Sequence, residues 1–200
     1  MKFESFSFAP EILRAIAECG YQSMTPIQQQ AIPAIRRGED VLASAQTGTG
    51  KTAAFALPIL QRMCDNPKET MPSNTRALIL TPTRELAAQV ADNITAYSKH
   101  LNLTVLTIYG GVKIDTQSQK LKRGADVIVA TPGRLLEHIV ACNLSLSNVE
   151  FLVLDEADRM LDMGFSADIK KILQAVNKNR QNMLFSATFS TEVKKLANEM

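Results

Sequence analysis

Eight consecutive residues, Ala45-Gln46-Thr47-Gly48-Thr49-Gly50-Lys51-Thr52, combine two glycines, a lysine and hydroxyl side chains. They follow the apolar run Val41-Leu42-Ala43 and precede the helix-forming run Ala53-Ala54-Phe55-Ala56-Leu57. A strand, a glycine-rich turn and a helix start make a phosphate cradle. Backbone N–H groups and the helix N-terminus face an anion, Lys51 reaches the terminal phosphates, and Thr52 offers its hydroxyl to Mg²⁺. The strict pattern opens with Gly where Ala45 stands. A flexible Gly/Thr turn would explain the glycines but leaves Lys51 without a task, so the expected ligand is a nucleoside triphosphate.

Asp155 and Glu156 close another apolar run, Phe151-Leu152-Val153-Leu154. A strand-end Asp can hold Mg²⁺, and a neighbouring Glu can orient or deprotonate an attacking water. Taken alone, Asp155, Glu156 and Asp158 could equally complement a helix N-terminus.

Such groups must be brought together by the elements between them. Strand-length apolar runs alternate with helix-length amphipathic stretches, which predicts an α/β fold with a mostly parallel central sheet flanked by helices in three layers. The expected strands are 41–43, 77–80, 103–108, 127–130, 151–154 and 183–185. The expected helices are 10–18, 27–37, 51–64, 85–99, 115–122, 132–141, 168–176 and 191–198. The polar, proline-containing stretch 65–74 reads as an exposed loop. Every unusual polar cluster follows the C-terminal end of an expected strand: the cradle, Thr81 to Glu85, Tyr109-Gly110-Gly111, Thr131 to Arg134, Asp155 to Asp158 and Ser186-Ala187-Thr188. In an open α/β sheet that end is where ligands bind, so all of these fall on one rim.

The chain has 200 residues, 46% of them hydrophobic and 21% charged, enough for one domain with a sizeable core. A net charge of +2 gives no global basicity, so a polyanion site would have to be local. Cys19, Cys64 and Cys142 are widely spaced and do not cluster with His100 or His138, which argues against a disulfide framework or zinc site and for a reducing cytoplasm. No apolar run approaches the ~20 residues needed to span a bilayer. The sequence leaves the oligomeric state open.

The motifs together resemble the first RecA-like lobe of the DEAD-box RNA helicases. They comprise Gly20 to Gln28, Ala45 to Thr52, Pro82 to Ala87, Gly110-Gly111, Thr131 to Arg134, Asp155 to Asp158 and Ser186 to Thr188, in the family's order over nearly the whole chain. The opening Phe3 to Tyr21 looks most like the bacterial RhlE group. Met24 stands where the family usually has Pro, with Thr25, Pro26 and Gln28 intact.

The resemblance implies one RecA-like P-loop domain over residues 1–200, with 1–37 as an adenine-recognition segment and the family's second lobe absent. It implies that Lys51 and Glu156 serve catalysis and that Thr52 and Asp155 hold Mg²⁺. Phe3, Gln28 and the cradle residues Ala45, Gln46, Thr47, Gly48, Thr49, Gly50, Lys51 and Thr52 would bind ATP. The carboxamide of Gln28 matches the N6 amine and N7 of adenine in donor and acceptor, whereas Gln29 and Gln30 read as a polar helix face. Pro82, Thr83, Arg84, Gly110, Gly111, Thr131, Pro132, Gly133 and Arg134 are implied to hold the backbone of single-stranded RNA. Asp158, Ser186, Ala187 and Thr188 are implied to couple nucleotide to RNA. The implied activity is ATP-dependent RNA unwinding. A non-unwinding RNA clamp would use the same motifs. A small-molecule kinase would leave the adenine-reading segment and Ser186-Ala187-Thr188 unexplained.

Overall fold

A computed structural model describes residues 1–72 and 74–200. Ser73, within the expected loop, lies outside the described residues. The strands are β1 (Val41–Ser44), β2 (Ala77–Leu80), β3 (Val105–Ile108), β4 (Val127–Ala130), β5 (Phe151–Asp155) and β6 (Gln181–Ser186). They form one six-stranded sheet in the order β1-β6-β5-β2-β4-β3. Every pairing among the described residues is parallel, where the alternation predicted a mostly parallel sheet.

Around the sheet run α1 (Pro10–Glu18), α2 (Pro26–Arg36), α3 (Lys51–Asp65), α4 (Arg84–Tyr97), α5 (Ile114–Leu121), α6 (Pro132–Val140), α7 (Ala157–Asp162), α8 (Ser166–Ala175) and α9 (Thr191–Glu199). Prolines open α1, α2 and α6, where a missing N–H costs nothing. Thr83 caps α4 by accepting from Leu86 N at 3.3 Å, and Ser190 caps α9 by accepting from Val193 N at 3.3 Å.

The central strands are buried on both faces, so alternate residues feed two cores. Ala77, Ile79, Val127, Val129, Phe151, Val153, Met183 and Phe185 pack with Ile32, Phe55, Val90 and Ile94 of α2, α3 and α4. Leu78, Leu80, Ile128, Leu152, Leu154 and Leu184 pack with Leu135, Met160, Ile169, Ile172 and Val193 of α6 to α9. Each fully buried Leu, Ile or Val contributes about 1.5–3 kcal/mol.

The structure corrects several expected boundaries. β3 begins at Val105 rather than at residue 103: Thr104 O still accepts from Val127 N at 3.1 Å, but Thr104 N donates to the Asp126 side chain, Oδ2 at 2.7 Å, instead of to a strand. β6 begins two residues early, at Gln181, a polar residue that is nonetheless buried because its carboxamide bonds Ile35 O at 3.1 Å. The six-residue α7 had no expected counterpart; its polar residues carried the strand-end cluster and masked its helical spacing. The loop after α3 is exposed at Met71 and Pro72 yet pinned, since Thr70 Oγ1 donates to Asp126 Oδ2 at 2.6 Å. A Cβ at Gly124 would come within 2.7 Å of the Met71 carbonyl group, so this loop also demands glycine opposite it. No helix among the described residues is long and apolar enough to cross a membrane.

Candidate functional site

β1 delivers the cradle to the carboxyl end of the sheet, where Ala45 N extends the ladder to Ser186 O at 3.1 Å. Gly48 and Gly50 both have φ +85, a conformation that favours glycine and turns successive amides toward the start of α3. Gly50 is doubly constrained, because an added Cβ would lie 2.5 Å from Gln28 Nε2 and 3.1 Å from Thr25 Oγ1.

Gln28, 3% exposed, is fixed from both sides. Its Oε1 accepts from Thr25 N at 2.9 Å, and its Nε2 donates to Gly50 O at 3.2 Å. One lone pair and one N–H of the carboxamide remain for a ligand. Thr25 and Gln28 form the capping box that opens α2, with the buried Thr25 Oγ1 facing the Gln28 backbone N–H.

Lys51 is 6% exposed, and its ammonium sits between two carboxylates, 3.2 Å from Asp155 Oδ1 and 3.6 Å from Glu156 Oε1. The Asp155 contact is poorly aligned, so Oδ1 makes no hydrogen bond. Burial pushes the Asp155 carboxyl above its ordinary range, against the opposing pull of Lys51. Glu156 is steered by Thr47 Oγ1, which donates to Oε1 at 2.9 Å, and by Arg159 Nη1, 3.4 Å from Oε2. Its backbone is left-handed at φ 55, ψ 52, a sparsely populated region for a non-glycine residue that costs about 1–3 kcal/mol and clusters at functional sites.

A groove of about 310 Å³ runs from these residues along α4, lined by Thr47, Gly48, Gly50, Thr52, Gln89, Asn93, Tyr97 and Tyr21. Tyr21 Oη and Tyr97 Oη are 2.9 Å apart, closing its far end. Phe3 is 3% exposed and stacks behind Tyr21 with ring centroids 6.3 Å apart, so the aromatic that reaches the groove is Tyr21. Sequence reasoning singled out neither Tyr21, Gln89 nor Asn93. The four- and eight-residue spacing of Gln89, Asn93 and Tyr97 along one helix face was the available signal. A larger recess, about 530 Å³, lies away from every motif, between Lys170, Lys178, Arg180 and Glu199.

Asp158 joins the ends of β5 and β6. Its Oδ2 accepts from Thr188 Oγ1 at 2.9 Å and from Thr188 N at 3.0 Å, while its N–H donates to Ser186 Oγ at 3.2 Å. Burial presses the Asp158 carboxyl upward, but the bonds from Thr188, Arg159 and Ser186 prevail and hold it below its ordinary value. Ser186 Oγ in turn donates to Thr188 O at 2.7 Å.

Farther along the rim, Arg84 opens α4 with a side chain 57% exposed. A Cβ at Gly111, φ +83, would come 3.2 Å from Arg84 Nη1, whereas Gly110 faces open space. Pro82 and Thr83 lead into α4, and Thr131, Pro132 and Gly133 form the entry to α6. Arg134 is only 14% exposed at its side chain and donates to Val112 O at 2.7 Å, so it ties the Gly110-Gly111 loop to α6. The rim thus gathers the implied nucleotide, metal, coupling and RNA positions on one edge. Phe3 sits behind it.

A sequence profile described as DEAD/DEAH box helicase matches residues 25–196. The ATP-dependent RNA helicase DeaD of Mycobacterium tuberculosis H37Rv is 48% identical over 196 residues, covering 98% of this chain and 34% of the relative. The ATP-dependent RNA helicase SrmB of Haemophilus influenzae is 47% identical over 192 residues, covering 96% of this chain and 44% of the relative. The crystal structure of a DEAD box protein from Methanococcus jannaschii matches with a TM-score of 0.90 at 44% identity, covering 99% of this chain and 53% of that one. The chain therefore spans less than half the length of these curated relatives.

Proposed function

The chain belongs to the DEAD/DEAH box helicase family, and on that footing we propose that it is the ATP-binding lobe of an ATP-dependent RNA helicase. In this reading residues 1–200 form one RecA-like domain that works in the cytoplasm with a second lobe and binds RNA through its backbone. The observation that carries it is the Lys51 ammonium held between Asp155 and Glu156 at the mouth of the cradle.

Lys51 exchanges its internal carboxylates for the terminal phosphates, while the amides of Gly48 to Thr52 donate to phosphate oxygens. Thr52 and Asp155 are the residues suited to Mg²⁺; the hydrogen-bond-free Asp155 Oδ1 fits a hard cation. The metal supplies charge neutralisation at the phosphate oxygens. Glu156, aimed by Thr47, receives a proton from the attacking water. The remaining N–H and lone pair of Gln28 pair with N7 and N6 of adenine, and Phe3 supports the site through Tyr21. Pro82 to Arg84, Gly110-Gly111 and Thr131 to Arg134 hold RNA phosphates without reading bases. Asp158, Ser186 and Thr188, with Ala187 between, relay nucleotide state to that surface.

Titration of fluorescent ADP and GDP tests the reading. Adenine should be preferred, and Gln28→Ala should remove about 1–3 kcal/mol of that preference. Equal affinity of the unmodified chain for the two nucleotides overturns it.

A further inference from the structure

The RNA-facing loop and the helix beside it meet at a buried side chain that no motif contains. Gln117, on α5 and 4% exposed, makes three contacts with its carboxamide. Nε2 donates to Tyr109 O at 2.9 Å, and Oε1 accepts from Arg134 Nη1 at 3.2 Å and faces His138 Nε2 at 3.0 Å. The partners dictate the orientation. A guanidinium has only donors and a backbone carbonyl has only lone pairs, so the amide fits one way round.

That orientation fixes the next group. Fully buried His138 must carry its proton on Nε2 to donate to Gln117 Oε1, which leaves Nδ1 as acceptor for Asn143 Nδ2 at 3.3 Å. Asn143 Nδ2 also donates to Ser118 Oγ at 3.0 Å, closing the circuit onto α5. Burial and the nearby Arg134 both favour the neutral imidazole this pattern requires. Arg134 completes the tie through Val112 O at 2.7 Å, on the far side of Gly110-Gly111 from Tyr109. The loop is therefore held at its two shoulders, Tyr109 and Val112, by groups that share a single carboxamide.

We infer that Gln117 is a positioning residue for RNA-backbone binding. It touches no ligand, and it sets the placement of the Gly110-Gly111 amides against Arg84 and the start of α6. Two glycines in succession lose much conformational entropy when ordered, and a loop pre-ordered by the protein spares RNA that cost on binding. The inference rests on the reading of these loops as RNA contacts.

The test compares the 200-residue chain with Gln117→Leu, which keeps the volume and loses all three contacts, and Gln117→Glu. The latter keeps the acceptors for Arg134 and His138 but sets oxygen against oxygen at Tyr109. Three quantities are measured: backbone order parameters of Gly110 and Gly111 by NMR, affinity for a fluorescein-labelled decauridylate, and affinity for a fluorescent ADP. Both variants should drop the glycine order parameters toward the flexible range, below about 0.6. Decauridylate binding should weaken roughly tenfold, about 1.4 kcal/mol, with ADP affinity unchanged within about twofold. Should Gln117→Leu fail to melt cooperatively, Gln117→Glu carries the same readouts. Rigid glycines in a folded variant, or equal losses of RNA and ADP affinity, overturn the positioning role. Failure of the unmodified chain to bind decauridylate overturns the RNA reading beneath it instead.

Discussion

The two ends of the parallel sheet are built on opposite plans. At the amino ends of the strands, polar side chains are paired with one another. Arg76, 1% exposed, donates through Nε to Glu150 Oε1 at 2.7 Å and through Nη1 to Met63 O at 3.3 Å, while Lys68 Nζ reaches the same Glu150 oxygen at 2.8 Å. Thr75 Oγ1 donates to Ala125 O at 3.0 Å, and Gln181 bonds the end of α2. At the carboxyl ends, polar groups are held by contacts that a ligand can exchange. Four buried side-chain atoms lack a hydrogen bond among the described residues, and three of them lie at this rim, the fourth being Asp126 Oδ1. Of the three, Asp155 Oδ1 is ion-paired with Lys51 at 3.2 Å, Arg134 Nε with Glu137 at 3.0 Å, and Thr25 Oγ1 belongs to the capping box of α2. Closed hydrogen-bonded pairing locks the fold, whereas exchangeable contacts on a rigid rim keep binding capacity available to a ligand.

The sharpest way to break this contrast is Glu150→Ala. It strands the buried Arg76 guanidinium, and such a loss costs about 3–5 kcal/mol. The denaturant midpoint should fall steeply with nucleotide affinity unchanged, and a parallel loss of nucleotide binding would erase the division between the ends. Lys51→Ala should do the reverse. Loss of a charge-assisted contact to phosphate weakens MgADP binding by about 1.5–3 kcal/mol in a calorimetric titration. Its melting temperature should fall less than that of Glu150→Ala, because Asp155 is already predisposed to take up a proton. Glu156→Gln should leave binding nearly intact.

Gly50→Ala comes next. A Cβ 2.5 Å from Gln28 Nε2 at φ +85 should cost about 1–2 kcal/mol of stability and displace the Gln28 amide. Chemical denaturation and an ADP/GDP comparison on the same variant check both effects.

The smallest effect is electrostatic, at the exposed contact of α1 with the end of α4. Hydrogen bonds from Lys99 and His100 bring Glu18 from its ordinary 4.5 down to about 2. A carboxyl lowered by folding stabilises at pH values above 4.5, and that contribution is lost as the pH falls toward 2. The melting difference between the unmodified chain and Glu18→Gln should therefore shrink over that window. Because the group is exposed, 1 M salt should shrink it further at neutral pH. A difference that grew between pH 4.5 and about 2 would contradict this assignment.

Legibility in the sequence follows the same division. The sheet and its cores were readable because strands buried on both faces must be short apolar runs, as at Ala77 to Leu80 and Val127 to Ala130. The cradle and the Asp155-Glu156 pair were readable because their chemistry is written in consecutive residues. Gln117 and His138 were not, since their meaning lies in contacts with Tyr109, Arg134 and Asn143 that spacing does not encode. Phe3 was readable as an aromatic in the right segment, but only the fold reveals that Tyr21 stands between it and the groove. The early start of β6 was hidden because Gln181 and Asn182 look like loop residues until Ile35 O and Asp40 satisfy them.

Glu156 holds a left-handed backbone that glycine or asparagine would adopt with less strain. Selection for heat resistance alone would thus tend to replace it, and the survivors would be sturdier proteins that had lost the carboxylate beside the cradle.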